Sequence, residues 1–147
     1  MAVRIAHGSR TIAVYLIDTD IIIYSLKGNP VVMENLRNHR GDPMAISVIT
    51  YGEMVYGARK SRQVERNLAA ARRVAEIYPL LPITQSVVET FASIRSDLQL
   101  AGLPLDDMDL LIAATSMSHN LTLVTNNEKH FSRVPGLSLV NWATSPV

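Results

Sequence analysis

Short apolar, β-branched runs alternate along the chain with longer stretches whose apolar positions recur every three or four residues. Ala13 to Ile17, Ala45 to Ile49 and Leu121 to Thr125 have the character of buried parallel strands, with weaker candidates at Leu80 to Ile83 and Leu137 to Val140. Between them, residues 31–39, 51–61, 63–77, 87–101 and 109–118 carry a helical period, and Val87, Phe91, Ile94 and Leu98 mark one such face. Strands alternating with helices predict right-handed crossovers. The expected fold class is therefore α/β, a three-layer α/β/α sandwich with a mostly parallel central sheet.

The chain has 147 residues, 48% hydrophobic and 18% charged, which suits one core. Pro and Gly fall singly and form no linker, so residues 13–147 read as a single domain preceded by a polar leader or disordered segment over residues 1–12. No run reaches the roughly 20 apolar residues of a membrane span. The absence of cysteine excludes disulfides, thiolate zinc sites and cysteine nucleophiles, and suits a cytoplasmic location. A formal net charge of +1 means that a polyanion would have to be met locally. The densest basic stretch, Arg59 to Arg73, is either a solvated helix surface or a phosphate-contacting one.

The acids stand at the ends of the predicted strands. Asp18 follows the first strand, at the carboxyl edge where open α/β sheets form ligand crevices. Its neighbour Asp20 is either part of the same site or a cap for a helix over Ile21 to Leu26. Glu53 follows the second strand, and Thr50-Tyr51-Gly52-Glu53 has the spacing of a capping box, so a capping role competes with a ligand role. Asp109 opens the apolar helix that feeds the last strong strand, with Asp106 or Asp107 available as its cap. Because Asp109 shares a face with Ile112, Ala113 and Ser116, its carboxylate leans toward the interior. Asn126 and Asn127 at the same edge read either as a turn or as amide oxygen ligands.

Carboxylates crowded together repel one another unless some are protonated or a cation lies between them. Oxygen donors without thiolate or paired histidine select a hard ion, Mg²⁺ or Mn²⁺, and the matching chemistry is hydrolysis of a phosphate ester. His7, His39, His119 and His130 have no metal-ligand spacing to one another and read as surface or capping residues.

Leu16-Ile17-Asp18-Thr19-Asp20 with Ile22 and Tyr24 resembles the first signature of PIN-domain nucleases. Ser47-Val48-Ile49-Thr50 through Glu53 and Tyr56-Gly57-Ala58 resembles the second, and Asp109 to Ala114 the third, followed by Leu123 to Asn127, Phe131, Val134 to Leu137 and Asn141-Trp142. The resemblance runs in order from Val14 to Trp142 and is nearest to the VapC toxins of bacterial toxin–antitoxin pairs. It implies a metal-dependent endoribonuclease acting on RNA, usually a homodimer, restrained by a cognate antitoxin across its acidic groove. It also implies Asp18 and Asp109 as principal metal ligands, Glu53 in support of the metal or its water, and Thr19, Ser47, Thr50 and Thr125 as positioning hydroxyls. Two departures stand out: Asn127 where many relatives carry a fourth acid, and Asp20 where relatives often have asparagine.

Two other readings compete. A haloacid-dehalogenase-like phosphatase would use Asp18 and Asp20 with Asp106 and Asp107, but it needs a lysine, and there is none between Lys60 and Lys129. A non-catalytic PIN-like module would bind RNA or a partner without cutting, against which the complete set of acids argues.

Overall fold

Leu16 and Ile17, adjacent on the first strand, point to opposite faces of the sheet and start two separate cores. The computed structural model describes residues 13–147; the expected leader over residues 1–12 lies outside the described residues. In chain order the elements are β1 (Tyr15–Ile17), α1 (Thr19–Leu26), α2 (Pro30–Asn38), β2 (Met44–Ser47), α3 (Val48–Arg59) and α4 (Val64–Ile77). They continue with β3 (Leu80–Leu81), α5 (Gln85–Leu100), α6 (Asp107–Ser118), β4 (Thr122–Val124), α7 (Glu128–Phe131) and β5 (Leu139–Val140).

Among the described residues the four strand pairings are parallel, in the order β3-β2-β1-β4-β5, with Leu16 opposite Ala45 on one side and Leu123 on the other. One core joins Leu16, Ala45 and Leu123 to Val87, Ile94 and Leu98 of α5 and to the buried face of α6. The other joins Ile17, Ile46 and Val124 to Ile21 and Ile22 of α1, Val32 of α2, Val74 of α4 and Trp142. These are the three expected layers. The chain steps outward from β1 to β2 and β3, then returns to the other side of β1 for β4 and β5. The β1/β4 boundary is thus the switch point, where the first turns on either side diverge and leave a crevice at the carboxyl edge.

The second strand is shorter than its composition predicts. Val48 and Ile49 are β-branched and read as strand, yet they form the first turn of α3, because the Ser47 side chain accepts the Ile49 N–H at 3.0 Å and caps the helix there. Asn29 starts α2 in the same way, accepting from Val31 and Val32 N–H ahead of Pro30 at the first helical position. In α4 the buried residues are Leu68, Ala71 and Val74, so Arg72 and Arg73 of the basic stretch lie on its exposed face. Among the described residues no helix is long and apolar enough to cross a membrane.

Candidate active site

The carboxyl ends of β1 and β4 hold the most deeply buried acid. Asp18 leaves β1 in extended conformation, its own N–H still bonded to the Val124 carbonyl at 2.9 Å, and it becomes the N-cap of α1. One carboxylate oxygen, Oδ1, accepts the Thr19 N–H at 2.8 Å; the other, Oδ2, accepts the Thr125 hydroxyl at 2.7 Å. Thr125 Oγ1 in turn accepts the Asn127 N–H at 3.0 Å, which directs its single proton to Asp18. Asp18 is only 6% exposed. Burial and the neighbouring charge of Asp20 push its pKa up to about 7, against the pull of the Thr125 and Thr19 hydrogen bonds and with a further push from Asp109.

Removing the Thr125 hydroxyl strands a buried oxygen. Thr125→Val, which keeps the shape, is therefore expected to lower the unfolding free energy at pH 8 by about 1–2 kcal/mol, read from urea denaturation in EDTA. An unchanged midpoint would show that the hydrogen bond does not stabilise the carboxylate.

Glu53 lies on α3. The capping-box reading is overturned: Ser47 is the cap, Thr50 is the third residue of the helix and is buried, and Glu53 lies well past the first turn. Glu53 Oε1 instead accepts the Thr19 hydroxyl at 2.7 Å, with Thr50 Oγ1 3.1 Å from the same hydroxyl. Thr19 thus joins Asp18 to Glu53, its backbone on one and its side chain on the other. Ser47 is engaged as a cap, and among the described residues no hydrogen bond joins it to a carboxylate.

Asp109 sits in the first turn of α6. The cap there is Asp106, which accepts the Met108 N–H at 3.1 Å, whereas Asp107 pairs with Arg95 at 3.2 Å. Half-buried Asp109 has its pKa pushed up to about 6 by burial first, then by the charges of Asp106 and Glu53, with Asp20 adding and His130 opposing. Asp20 is raised as well, by burial and the charge of Glu53, although the N–H groups of Asn126, Ile21 and Asp20 itself pull it down.

Asp18, Asp20, Glu53 and Asp109 consequently share one electrostatic neighbourhood although they come from three distant parts of the chain, the start of α1, the second turn of α3 and the start of α6. Among the described residues no three acidic or histidine side chains stand together closely enough to hold an ion as they are. The donor set is nonetheless oxygen throughout, and Asp20 Oδ1 is buried without a hydrogen-bond partner. Both features suit a hard divalent cation, which supplies the missing positive charge.

The asparagine pair links β4 to α7 through a bend at Asn126, with Asn127 at the N-cap of α7. Asn126 gives its N–H to Asp20 Oδ2 at 3.1 Å and its side-chain Nδ2 to Tyr24 Oη at 3.2 Å, while Asn127 Nδ2 lies 3.0 Å from His130 Nδ1. Reading from sequence passed over His130 for lack of metal spacing. Its charge reaches Asp109 from α7, and the available clue was its place just past the last strong strand, at the same carboxyl edge.

Two open cavities adjoin the acids, and Glu53 lines both. One, of about 530 Å³, runs between α1, α3 and α4 past Ile23, Lys27, Met54, Arg66 and Arg73. The other, of about 470 Å³, is walled by Val48, Ile49, Gly52, Tyr56 and Met108.

The description "PIN domain" belongs to the family model that matches residues 15–137. The tRNA(fMet)-specific endonuclease VapC of Shigella flexneri is 33% identical over 129 residues, covering 88% of this chain and 98% of the relative. Ribonuclease VapC2 of Haemophilus influenzae is 34% identical, covering 87% and 97%. Among solved structures, VapBC2 from Rickettsia felis, bound to a DNA fragment from its promoter, superposes with a TM-score of 0.82 at 32% identity over 88% of this chain and 98% of that one. The DNA-bound VapBC of Salmonella typhimurium gives the same values. None of these relatives is a phosphatase, so the aspartyl-phosphate reading loses its support. A family model spanning most of the chain, joined to relatives above 30% identity over nearly their whole length, makes this chain a member of the PIN-domain family, among the VapC ribonucleases.

Proposed function

We propose that this protein is a Mg²⁺-dependent endoribonuclease, with Mn²⁺ as a substitute ion, acting in the cytoplasm as the toxin of a type II toxin–antitoxin pair. VapC nucleases are metal-dependent as a class; the choice of Mg²⁺ follows from the all-oxygen donor set. The observation that supports the reading most is buried Asp18 at the β1/β4 switch point, linked through Thr19 to Glu53 by hydrogen bonds, with the charge of Asp109 also acting on it.

In this reading Asp18 and Asp109 are the metal ligands and Glu53 supports the metal or its water. A bound divalent ion supplies polarisation of a phosphoryl oxygen and a more acidic water. Asp18 is presented in one orientation by Thr19 and Thr125, so little reorganisation is needed when charge develops nearby. Thr19 also holds Glu53 through its hydroxyl, which ties the two carboxylates to one residue. Asn127 acts one step back, through the N–H that orients Thr125.

The substrate is RNA, and the name of the Shigella relative makes tRNA(fMet) the first one to try. An antitoxin, the second component of the VapBC complexes, is proposed to cover the acidic groove. The exposed apolar surface of Val48, Tyr56 and Met108 beside Glu53 suits a second copy of the chain, giving a homodimer.

The purified full chain is expected to cleave RNA with Mg²⁺, to lose cleavage in EDTA and to regain it when Mg²⁺ is restored, as read by gel and by mapping of new RNA ends. RNA binding without cleavage across a Mg²⁺ and Mn²⁺ screen would overturn this and favour the non-catalytic module.

A further inference from the structure

Asp20 occupies the second position of α1, where a carboxylate has an ordinary explanation in the helix dipole. The geometry argues for more than that. Asp18 already caps the helix, so capping does not require Asp20. A first-turn aspartate serving the dipole alone can keep both oxygens in water, whereas Asp20 Oδ1 is buried and, among the described residues, accepts no well-formed hydrogen bond. Its Oδ2 is held by the Asn126 N–H at 3.1 Å, from the loop after β4.

That N–H is itself aimed by other groups. Asn141, only 8% exposed, donates from Nδ2 to Asn126 Oδ1 at 3.1 Å and to Glu128 Oε2 at 2.9 Å, while Asn126 Nδ2 donates to Tyr24 Oη. The loop is therefore tied on both sides of Asp20. A carboxylate oxygen buried without a donor is costly, and here its charge is also felt by Asp18 and Asp109. Asn127, at the position after β4, is neutral and has its amide nitrogen against His130.

We propose that Asp20 is a fourth carboxylate of the divalent-ion site, supplying from α1 the charge that Asn127 does not supply after β4, with Asn126 and Asn141 as positioning residues. This rests on the metal-site reading given above. The unpartnered Oδ1 is the atom assigned to the ion or to one of its waters.

The test is Mn²⁺ binding to the metal-stripped full chain by titration calorimetry, paired with thermal melts in EDTA. Asp20→Asn is expected to weaken Mn²⁺ binding about tenfold or more, with the metal-free melting temperature unchanged or raised. Asp20→Ser, which keeps a short polar first-turn side chain, gives the same readout by a second route. Asp97→Asn removes an equal charge from exposed α5 and leaves Mn²⁺ affinity as in the wild type. Affinity of both Asp20 variants within about twofold of wild type would overturn the proposal and return Asp20 to the helix dipole. If instead the wild type and Asp18→Asn bind Mn²⁺ alike, the metal-site reading itself fails, and the assignment of Asp20 fails with it.

Discussion

Asp18→Asn and Asp109→Asn are each expected to reduce RNA cleavage about a thousandfold or more, equivalent to ~4 kcal/mol of lost transition-state stabilisation. Neither variant is expected to unfold. For Asp18 the metal-free fold gains stability, and the sign follows from linkage. A carboxyl that titrates near 3.8 when unfolded and about 7 when folded binds more protons in the native state, so stability falls as pH rises between those values. Asparagine removes that penalty.

The full gain is expected above pH 7 and none below about pH 4, where the aspartic acid is protonated in both states. Its size is limited, because asparagine has one acceptor oxygen where Asp18 has two, so its NH₂ faces either the Thr125 hydroxyl or the Thr19 N–H. A net increase of about 1–2 kcal/mol at pH 8 remains, measured by urea denaturation in EDTA at pH 8 and pH 4. Wild-type cleavage by either variant would refute the assignment of these two acids.

Trp142→Ala is expected to have the largest effect on stability. Trp142 is 0% exposed and belongs to the core that faces α1, α2 and α4. Its ring stacks on His39 at 4.5 Å between centroids and meets Tyr15 edge-on at 4.9 Å. Its carbonyl accepts from Nδ2 of buried Asn35, which also holds the Ser145 carbonyl. Truncation leaves a large hole under the sheet and costs about 3–5 kcal/mol.

Trp142→Phe separates volume from polarity. Trp142 Nε1 is buried and has no hydrogen-bond partner among the described residues, so phenylalanine relieves a desolvated donor while giving up part of the ring. The loss is expected to be about 1–2 kcal/mol. If Trp142→Ala melts as the wild type does, the aromatic cluster is not a support of this core.

Asp18 was legible in the sequence because a strand end followed by an acid is a local feature with a fixed place in an α/β sheet. Glu53 was not, on its residues alone. Val48 and Ile49 read as strand, and only Ser47's hydrogen bond to the Ile49 N–H decides that the helix starts at Val48, three residues earlier than that pattern suggests. That shift converts an apparent capping glutamate into a partner of Thr19. α7 is four residues long and shows no period, so only the place of His130 just past β4 pointed to the site. The tie from Asn141 through Asn126 to Asp20 spans over a hundred residues and exists only once β4 and β5 have paired.

Glu53 forms part of the wall of both cavities. Changing it would alter chemistry, groove shape and any association face in a single stroke, and a phenotype could not be apportioned among them. Asp109, which lines neither of those two cavities, is the cleaner choice for an inactive bait with which to capture partners.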